Sequence, residues 1–373
     1  MMETPVIGTG AVGCAATMKK CFAVVVLLIL VLCTVVYSEE CIDTLTYAVF
    51  PYVPDVEYYC ELIESRWAEL EPNINLVRAE WDCYYDGEPE GIDVIMFDAV
   101  TRDTLLSAGW IQPIRPGSLQ ESEDFFPFAL EGFTVGDDLY GIPVFLCGNF
   151  LIYDQGCEAV ATAEHITDLT DASGILVVNS EDPVNRPQYV SEVIADETGE
   201  ANPSADDGAE DMMRLIDRLA IDAHKHDNDT QVATAYDSGV GQGYIGFSES
   251  MRFLKRRSDV TRIKSISFSE QENTLRVYAD AVAVTTGAKG QRYEKSLKLM
   301  NVMAEADILT ALSVRDGVPQ YLLLARRSPY QPLADQFEIY NQLECLASNE
   351  ENHVIVPAVK DVGFGNSSAD LLN

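Results

Sequence analysis

The sequence is poor in histidine and in positive charge. It has four histidines, and its 25 lysines and arginines face 60 aspartates and glutamates, which gives a formal net charge of −35 at pH 7. No histidine lies beside a plausible nucleophile, so the sequence does not indicate a Cys–His pair. The negative charge would repel phosphates, which argues against nucleic acid as a partner. It favours cationic small ligands, although a merely solvated acidic surface explains the charge more simply.

The short motifs of several common site classes are also absent. The sequence contains no GxSxG and no HExxH, and the glycines of residues 239–243 lack both the lysine of a P-loop and the dinucleotide-binding spacing. No cysteine spacing is of the CxxC or zinc type. We therefore expect no metal site and no cofactor.

A single long hydrophobic run occurs, close to the N-terminus. Two lysines precede residues 21–37, which are apolar and uncharged, and Ser38 follows them. A basic patch, an apolar run and small residues at its end are typical of a secretory signal. We therefore predict a signal peptide or signal anchor with an upstream extension over residues 1–38, and a secreted or extracytoplasmic protein. If residues 21–37 stay uncleaved, they would anchor the chain to a membrane.

Six cysteines follow this segment, and in a secreted chain we expect some of them to form disulfides. If Cys147 stays free, five remain, so one of those has no partner within the chain. The six are Cys41, Cys60, Cys83, Cys147, Cys157 and Cys345.

Apolar runs and helical periodicity alternate in the first part of the mature chain. We predict strands over residues 45–50, 74–80 and 92–97, with a helix capped by Asp55 after the first strand. Asp98 then stands at the carboxyl end of the third strand. This alternation predicts a parallel α/β sheet that binds ligands at the carboxyl ends of its strands.

The later part of the chain continues the pattern less regularly. The predicted strands cover residues 174–178, 265–269, 276–278 and 281–285, and the predicted helices cover 101–108, 212–219, 293–305 and a segment that starts near Ser248.

Residues 140–153 form a mostly apolar segment with one thiol, Cys147, in its middle. Pro143 restricts strand pairing, and Gly148 indicates a bulge or a backbone that lets a ligand approach the sulfur. An isolated cysteine in an apolar run is more often a small buried hydrophobic residue. From this segment alone, a nucleophilic role for Cys147 is the minority interpretation.

Six segments together resemble thiaminase I, the family of thiamine pyridinylases, and occur in the same order in that family. The resemblance extends from about residue 44 to the C-terminus, and it rests on the ordered set rather than on a single motif. The segments are Phe50-Pro-Tyr-Val-Pro-Asp55, Phe97-Asp98, Tyr140-Gly-Ile-Pro143, Cys147-Gly-Asn-Phe150, Gly246-Phe-Ser-Glu-Ser-Met251 and Tyr278-Ala-Asp280.

The resemblance implies an α/β, two-lobed, periplasmic-binding-protein-like fold of type II, with about three chain crossings and a ligand site in the central interlobe cleft. The crossings would lie near residues 147–153, 278–281 and 317–329. Lobe 1 would comprise residues 42–147 plus 279–325, and lobe 2 residues 148–278 plus 326–373.

The resemblance also implies a ping-pong reaction with Cys147 as nucleophile and Glu249 as its base. Thiamine would be one substrate and an amine or a thiol the other. Asp98 and Asp280 match positions that hold the aminopyrimidine. Without the resemblance, Glu249 is better explained as an acid at a helix N-terminus, and the two aspartates as strand-end and turn residues.

Five aromatic residues complete the implied site. Tyr52, Tyr84 and Tyr244 would line the cleft and stack on the flat, cationic ligand. Phe50 and Phe247 stand where the family pattern leads us to expect tyrosine. They keep a stacking face and lose a hydroxyl.

Two alternatives remain open at this stage. The first is a non-catalytic secreted solute-binding protein for thiamine or a related cation, which would have no need of the Cys147–Glu249 pair. The second is an interaction module anchored through residues 21–37. In each case we expect a monomer that does not bind nucleic acid.

Overall fold

The computed structural model describes residues 42–183, 185–198, 209–268 and 276–356. The predicted signal segment 1–38 and Cys41 lie outside these residues. Within the described ranges, the helices are too short or too polar to cross a bilayer.

The larger sheet contains seven of the described strands. Its order is β14-β6-β11-β3-β1-β2, and β15 pairs with the start of β11. Strands β1, β2, β3 and β6 run in one direction, and β11, β14 and β15 run in the other. The strands are β1 (Thr44–Ala48), β2 (Asn75–Arg78), β3 (Val94–Asp98), β6 (Ile142–Cys147), β11 (Arg276–Val284), β14 (Leu323–Leu324) and β15 (His353–Val354).

The smaller sheet has four described strands in the order β10-β7-β9-β8. A buried apolar cluster that includes Leu151, Leu176 and Ile245 covers it. The strands are β7 (Phe150–Asp154), β8 (Leu176–Val177), β9 (Gly243–Gly246) and β10 (Thr261–Lys264). Two short ribbons complete the strands: β4 (Thr134–Val135) with β5 (Asp138–Leu139), and β12 (Val314–Arg315) with β13 (Val318–Pro319).

Helices cover both sheets, and the first of them is amphipathic as predicted. Its buried side chains Tyr59, Cys60, Ile63 and Trp67 recur at helical spacing. Asp55 precedes this helix, but it has a left-handed backbone (φ 53°) and makes no side-chain cap. The helices are α1 (Val56–Leu70), α2 (Arg102–Ser107), α3 (Pro127–Glu131), α4 (Glu158–Thr162), α5 (Asn185–Thr198), α6 (Ala209–Leu219), α7 (Asp229–Asp237), α8 (Gln291–Met303), α9 (Ala306–Leu312), α10 (Tyr330–Ala334) and α11 (Ile339–Ala347).

The structure differs from the predictions in several places. The larger sheet is mixed rather than parallel, because β11, β14 and β15 run opposite to its other strands. The strand predicted over residues 265–269 is instead β10, which ends at Lys264. The two strand pieces predicted after residue 276 are one strand, β11, with an irregularity between Asp280 and Ala281. The helix predicted near Ser248 is a 3-10 turn, Ser248–Phe253, which we call the Glu249 turn.

The chain passes between the two sheets at the segment that contains Cys147. Cys147 ends β6 in the larger sheet, and Phe150 begins β7 in the smaller one. The chain has returned to the larger sheet by Arg276, slightly before the predicted crossing at 278–281. After Leu324, α11 packs on both β14 and β10, and β15 then rejoins the larger sheet. The division into lobes stays a prediction.

The expected disulfides do not occur in the described part of the chain. Its five cysteines are all unpaired. Cys60 and Cys83 are buried, Cys147 and Cys157 are half-buried, and Cys345 is exposed. Cys147 is therefore available as a free thiol.

Candidate functional site

The candidate site lies at the edge of the larger sheet where its parallel strands end. Asp98 ends β3 and Cys147 ends β6, while Phe50 and Tyr52 follow the end of β1. Strand β11 runs the opposite way and brings Asp280 to the same edge. The carboxyl edge of such a sheet is where α/β proteins bind ligands.

Strand register brings the chemically active side chains together. Asp280 lies opposite Asp98 in the β11–β3 ladder, and Tyr278 lies opposite Cys147 in the β11–β6 ladder. Residues directly opposite each other in antiparallel strands point to the same face, with Cβ atoms about 5 Å apart. The two aspartates are therefore close neighbours, and the thiol lies on the next strand.

The two aspartates form a buried acidic pair. Burial raises the pKa of Asp98, although hydrogen bonds from Tyr84 Oη (2.5 Å to Oδ2) and Val100 N (3.0 Å to Oδ1) oppose this. The pKa of Asp280 lies well above its usual range because of burial, with further contributions from the charges of Asp98 and Glu249. Two neighbouring carboxyls that resist ionisation favour holding one proton between them.

Cys147 is a thiol rather than a thiolate in this environment. Burial raises its pKa well above the usual range, and the charges of Asp280, Glu249 and Asp98 raise it further. Part of the side chain is nevertheless accessible. Because the thiolate is the nucleophilic form, Cys147 needs a base to become reactive.

Glu249 can supply that base. Phe150 at the start of β7 lies opposite Gly246 at the end of β9. Cys147 precedes Phe150 by three residues and Glu249 follows Gly246 by three, so both leave the antiparallel pair of strands at the same end. Burial, as the main cause, raises the pKa of Glu249 to about 7. An acid at a helix N-terminus usually has a lowered pKa. Glu249 does stand in the first turn of its 3-10 element, and hydrogen bonds there lower its pKa, but burial outweighs them.

Three of the predicted aromatic residues form one cluster beside Asp98. The ring centroid of Phe50 lies 5.2 Å from that of Tyr52 and 5.8 Å from that of Tyr84. Tyr52 is 59% exposed, so its ring is available for stacking, whereas Phe50 is 6% exposed. Phe247 is half-buried at the start of the Glu249 turn.

Tyr244 does not line the site as predicted, because its side chain is fully buried. Its hydroxyl lies 2.9 Å from Ser250 Oγ, which itself donates to the carbonyl oxygen of Phe247 at 2.6 Å. Since Ser250 has used its proton, the tyrosine hydroxyl is the donor. Tyr244 thus supports the Glu249 turn from behind and offers no face to a ligand.

Three further residues lie near Cys147 without having been predicted as site residues. Tyr278 is half-buried opposite the cysteine. Asn149 follows Cys147 by two residues, and Nδ2 of Asn149 donates a hydrogen bond to Oε1 of Glu192 at 2.7 Å. In the sequence, a polar Asn149 within an apolar run was the available signal, whereas nothing in the sequence indicated Glu192.

Comparison with known proteins identifies relatives over most of the chain. No family model matches. The chain is 29% identical to Thiaminase-1 of Paenibacillus thiaminolyticus over 340 residues, which covers 83% of each protein. The solved structure of Clostridium botulinum thiaminase I in complex with thiamin superposes with a TM-score of 0.79 at 27% identity, over 84% of this chain and 94% of that one. Thiaminase I from Bacillus thiaminolyticus gives the same TM-score and coverage at 28% identity.

Solute-binding proteins share the fold at lower identity. Maltose-bound MalE3 of T. maritima superposes with a TM-score of 0.64 at 10% identity, over 84% of this chain and 89% of that one. At this identity the likeness concerns the fold alone. The predicted fold and the predicted resemblance are both confirmed: the chain is a homologue of thiaminase I with an α/β fold of the periplasmic-binding-protein type.

Proposed function

We propose that the chain is a thiamine pyridinylase, which transfers the pyrimidine-methylene group of thiamine from its thiazole to an amine or a thiol. The observation that carries this proposal is that Cys147 and the Asp98–Asp280 pair share one edge of the larger sheet, and that Glu249 is near enough for its charge to raise the pKa of both Cys147 and Asp280. A nucleophile with a raised pKa, a base with a pKa of about 7 and a proton-holding acid pair are the groups that such a transfer needs.

In the first half-reaction, Glu249 takes the proton of Cys147. The thiolate then forms a bond from Sγ to a carbon of the pyrimidine ring. The bond between the methylene carbon and the thiazolium nitrogen breaks, and its electron pair stays with the nitrogen. Thiamine brings one positive charge and the thiolate one negative charge, so the enzyme adduct and the released thiazole are both neutral.

The aspartate pair activates the pyrimidine for this attack. Addition of the thiolate places negative charge on the ring, and a carboxyl that shares its proton with a ring nitrogen stabilises that charge. Asp280 is the member of the pair that carries the proton to be shared, because burial raises its pKa well above the usual range. Asp98 is held by Tyr84 and Val100 and is suited to accept a hydrogen bond from the amino group.

In the second half-reaction, an amine or a thiol adds to the methylene carbon. Glu249 first releases the proton of Cys147 to the solvent and then takes the proton that this nucleophile loses. The Sγ–carbon bond breaks with its electron pair on sulfur, the pyrimidine regains its aromaticity, and the thiolate of Cys147 takes the proton back from Glu249. The same carboxylate therefore serves both half-reactions, which suits its pKa of about 7.

Charge and aromatic surface suit the cationic substrate. The acids around Cys147 are costly to ionise together, and the positive thiazolium offsets that cost. The accessible ring of Tyr52, with Tyr84 beside it, provides a surface for stacking on a flat cation. Phe50 and Phe247 contribute ring faces without hydroxyls.

The same proposal includes export and a monomeric state. Residues 1–38 would direct secretion, with cleavage after Ser38 or retention as an anchor through residues 21–37. Mass determination of the protein recovered from the culture medium, combined with light scattering, tests both points. Retention in the cytoplasm or a stable dimer would contradict them.

The deciding experiment is intact-mass spectrometry after incubation with thiamine and no added nucleophile. We expect a mass gain equal to the pyrimidine-methylene fragment in the wild type and none in Cys147→Ser. The matched control is Cys345→Ser, which removes an exposed thiol and should keep the adduct. Tight thiamine binding without an adduct would favour the solute-binding alternative. If the protein neither binds thiamine nor forms an adduct, thiamine is not its ligand.

A further inference from the structure

The segment that joins the two sheets is fixed on both sides. Asn149 and Glu192 are each only 5% exposed, and the amide of Asn149 donates to the carboxylate of Glu192 at 2.7 Å. Glu192 lies on α5, which belongs to the layer that covers the smaller sheet. On the other side, Gly148 lies against the start of β11, where an added Cβ would be in van der Waals contact with the carbonyl oxygen of Arg276 at 3.4 Å.

Burying an amide–carboxylate pair is energetically less favourable than burying apolar side chains of the same size. Removing a carboxylate from water is unfavourable unless it is hydrogen-bonded, and apolar residues of similar size usually stabilise a core at least as well. The hydrogen bond of the pair instead fixes the orientation of the Asn149 side chain relative to α5. Cys147 is two residues away, so its backbone is fixed along with it.

Glu192 is also close to the reacting group. Its charge is among the contributions that raise the pKa of the Cys147 thiol, after burial and the charges of Asp280, Glu249 and Asp98. It is likewise the main charge that raises the pKa of Tyr278, for which burial is the leading cause. Glu192 therefore lies near both members of the Cys147–Tyr278 cross-strand pair.

We propose that Asn149 and Glu192 are positioning residues of the transfer reaction, whose hydrogen bond fixes the segment 147–149 on α5 and so directs the sulfur of Cys147 towards the pyrimidine ring. This inference rests on the proposed function. Neither residue touches the substrate in this scheme. Attack requires the reacting atoms to approach to about 3–3.5 Å in the correct direction, so a loosened segment slows adduct formation without weakening thiamine binding.

The test compares adduct formation with binding in four variants: Asn149→Ala, Glu192→Ala, the double variant and Glu192→Gln. Quenched-flow mass spectrometry gives the rate of adduct formation, and calorimetry in a Cys147→Ser background gives the Kd for thiamine. We expect each alanine variant to slow adduct formation by about 10- to 100-fold with Kd changed less than about threefold. The double variant should be no slower than the slower single variant, because both remove the same hydrogen bond.

Glu192→Gln separates the hydrogen bond from the charge. Glutamine still offers an oxygen to Asn149, so the adduct should form within about threefold of the wild-type rate. The pKa of the Cys147 thiol, measured by the pH dependence of its alkylation with iodoacetamide, should fall because one of the negative charges around it is gone. Asp98, Asp280, Glu249 and Tyr278 still face the thiol in this variant. Asn352→Ala, which removes a buried asparagine before β15, controls for destabilisation and should leave adduct formation unchanged.

Unchanged adduct formation in both alanine variants would overturn the inference, and so would a loss of thiamine affinity equal to the loss of rate. If the wild type forms no adduct, the proposed function fails while the positioning inference is still judged by alkylation. The alkylation rate constant of the Cys147 thiolate should then change at least about fivefold in Asn149→Ala and Glu192→Ala. An unchanged constant would refute it.

Discussion

Tyr84 donates a hydrogen bond of 2.5 Å to Oδ2 of Asp98 and thereby ties the acidic, aromatic loop 81–91 to the carboxyl end of β3. The bond lowers the pKa of Asp98 against the opposing effect of burial. The main contributions to the pKa of Asp280 are burial and neighbouring negative charges, which all raise it, so this pKa lies well above the usual range. Tyr84 therefore makes the pair unequal, with Asp98 ionising first and Asp280 keeping the proton.

Tyr84→Phe should equalise the two aspartates and weaken the site. It keeps the aromatic ring and removes the hydroxyl, and a hydrogen bond to a charged group contributes about 1.5–3 kcal/mol. We expect kcat/KM for thiamine to fall by about tenfold or more, because a protonated Asp98 no longer accepts from the aminopyrimidine. Steady-state kinetics with thiamine and an aromatic amine measure this. Tyr293→Phe, whose hydroxyl bonds to the carbonyl oxygen of Pro113, is the control and should change kcat/KM less than about twofold.

The activity should depend on the ionisation of Glu249. The base must be deprotonated to take the thiol proton, so kcat/KM should rise with pH through about 7 and level off above it. In the thiamine complex, the cationic ligand favours the carboxylate, so the corresponding limb of kcat should lie at lower pH. Kinetics from pH 5 to 9 measure both profiles.

Glu249→Gln is the matched variant for this profile. Loss of a general base costs about 10²–10⁴-fold, so kcat/KM at pH 8 should fall by that factor and the limb near pH 7 should vanish. Glu158→Gln replaces an exposed acid on α4 and should keep the wild-type profile. A limb near pH 7 that persists in Glu249→Gln would assign the base to another group.

The same substitution should stabilise the folded protein. The pKa of Glu249 is raised from 4.5 to about 7, so ionising this group costs the folded state more than the unfolded state. Below pH 4.5 both states are protonated and no penalty exists, whereas the full penalty applies above about pH 7. Glu249→Gln should therefore raise the free energy of unfolding at pH 8 by up to about 3 kcal/mol, with little change at pH 4.5. Urea unfolding at both pH values measures this difference. An equal change at both values would mean that packing, not charge, is responsible.

The elements nearest the site were those that the sequence predicted best. Strand β3 is an uninterrupted apolar run that ends in Asp98, because it is buried on both faces within the larger sheet. Strand β3 runs parallel to β1, and the carboxyl ends of such strands form the edge where α/β sheets bind ligands, so the position of Asp98 at this edge was predictable, whereas its role stays part of the proposal. The proximity of Cys147 to Glu249 could not be predicted from the sequence, because it depends on the pairing of Phe150 with Gly246 in the smaller sheet.

Tyr244 and Glu192 show why other features around the candidate site could not be predicted from the sequence. Strand β9 lies between β7 and β8, and its four residues are all buried, so it shows no alternation that would indicate which way Tyr244 points. Glu192 is on α5, whose helix was not predicted. A charged residue among polar neighbours normally indicates a solvated face, whereas the folded chain buries Glu192 and gives it the hydrogen bond from Asn149.

Tyr244→Phe distinguishes a supporting residue from a ligand-stacking one. Phenylalanine keeps the ring that packs 5.2 Å from that of Tyr236, and it removes the hydrogen bond to Ser250. Because that bond is buried, its loss should lower the free energy of unfolding by about 1 kcal/mol. The Kd for thiamine should not change, since the side chain is fully buried. Chemical unfolding and calorimetry measure the two quantities, and Tyr52→Ala is the contrasting variant. Tyr52 is 59% exposed, so its truncation should weaken thiamine binding with little effect on stability. A Tyr244→Phe variant that binds thiamine several-fold more weakly at unchanged stability would restore Tyr244 to the ligand site.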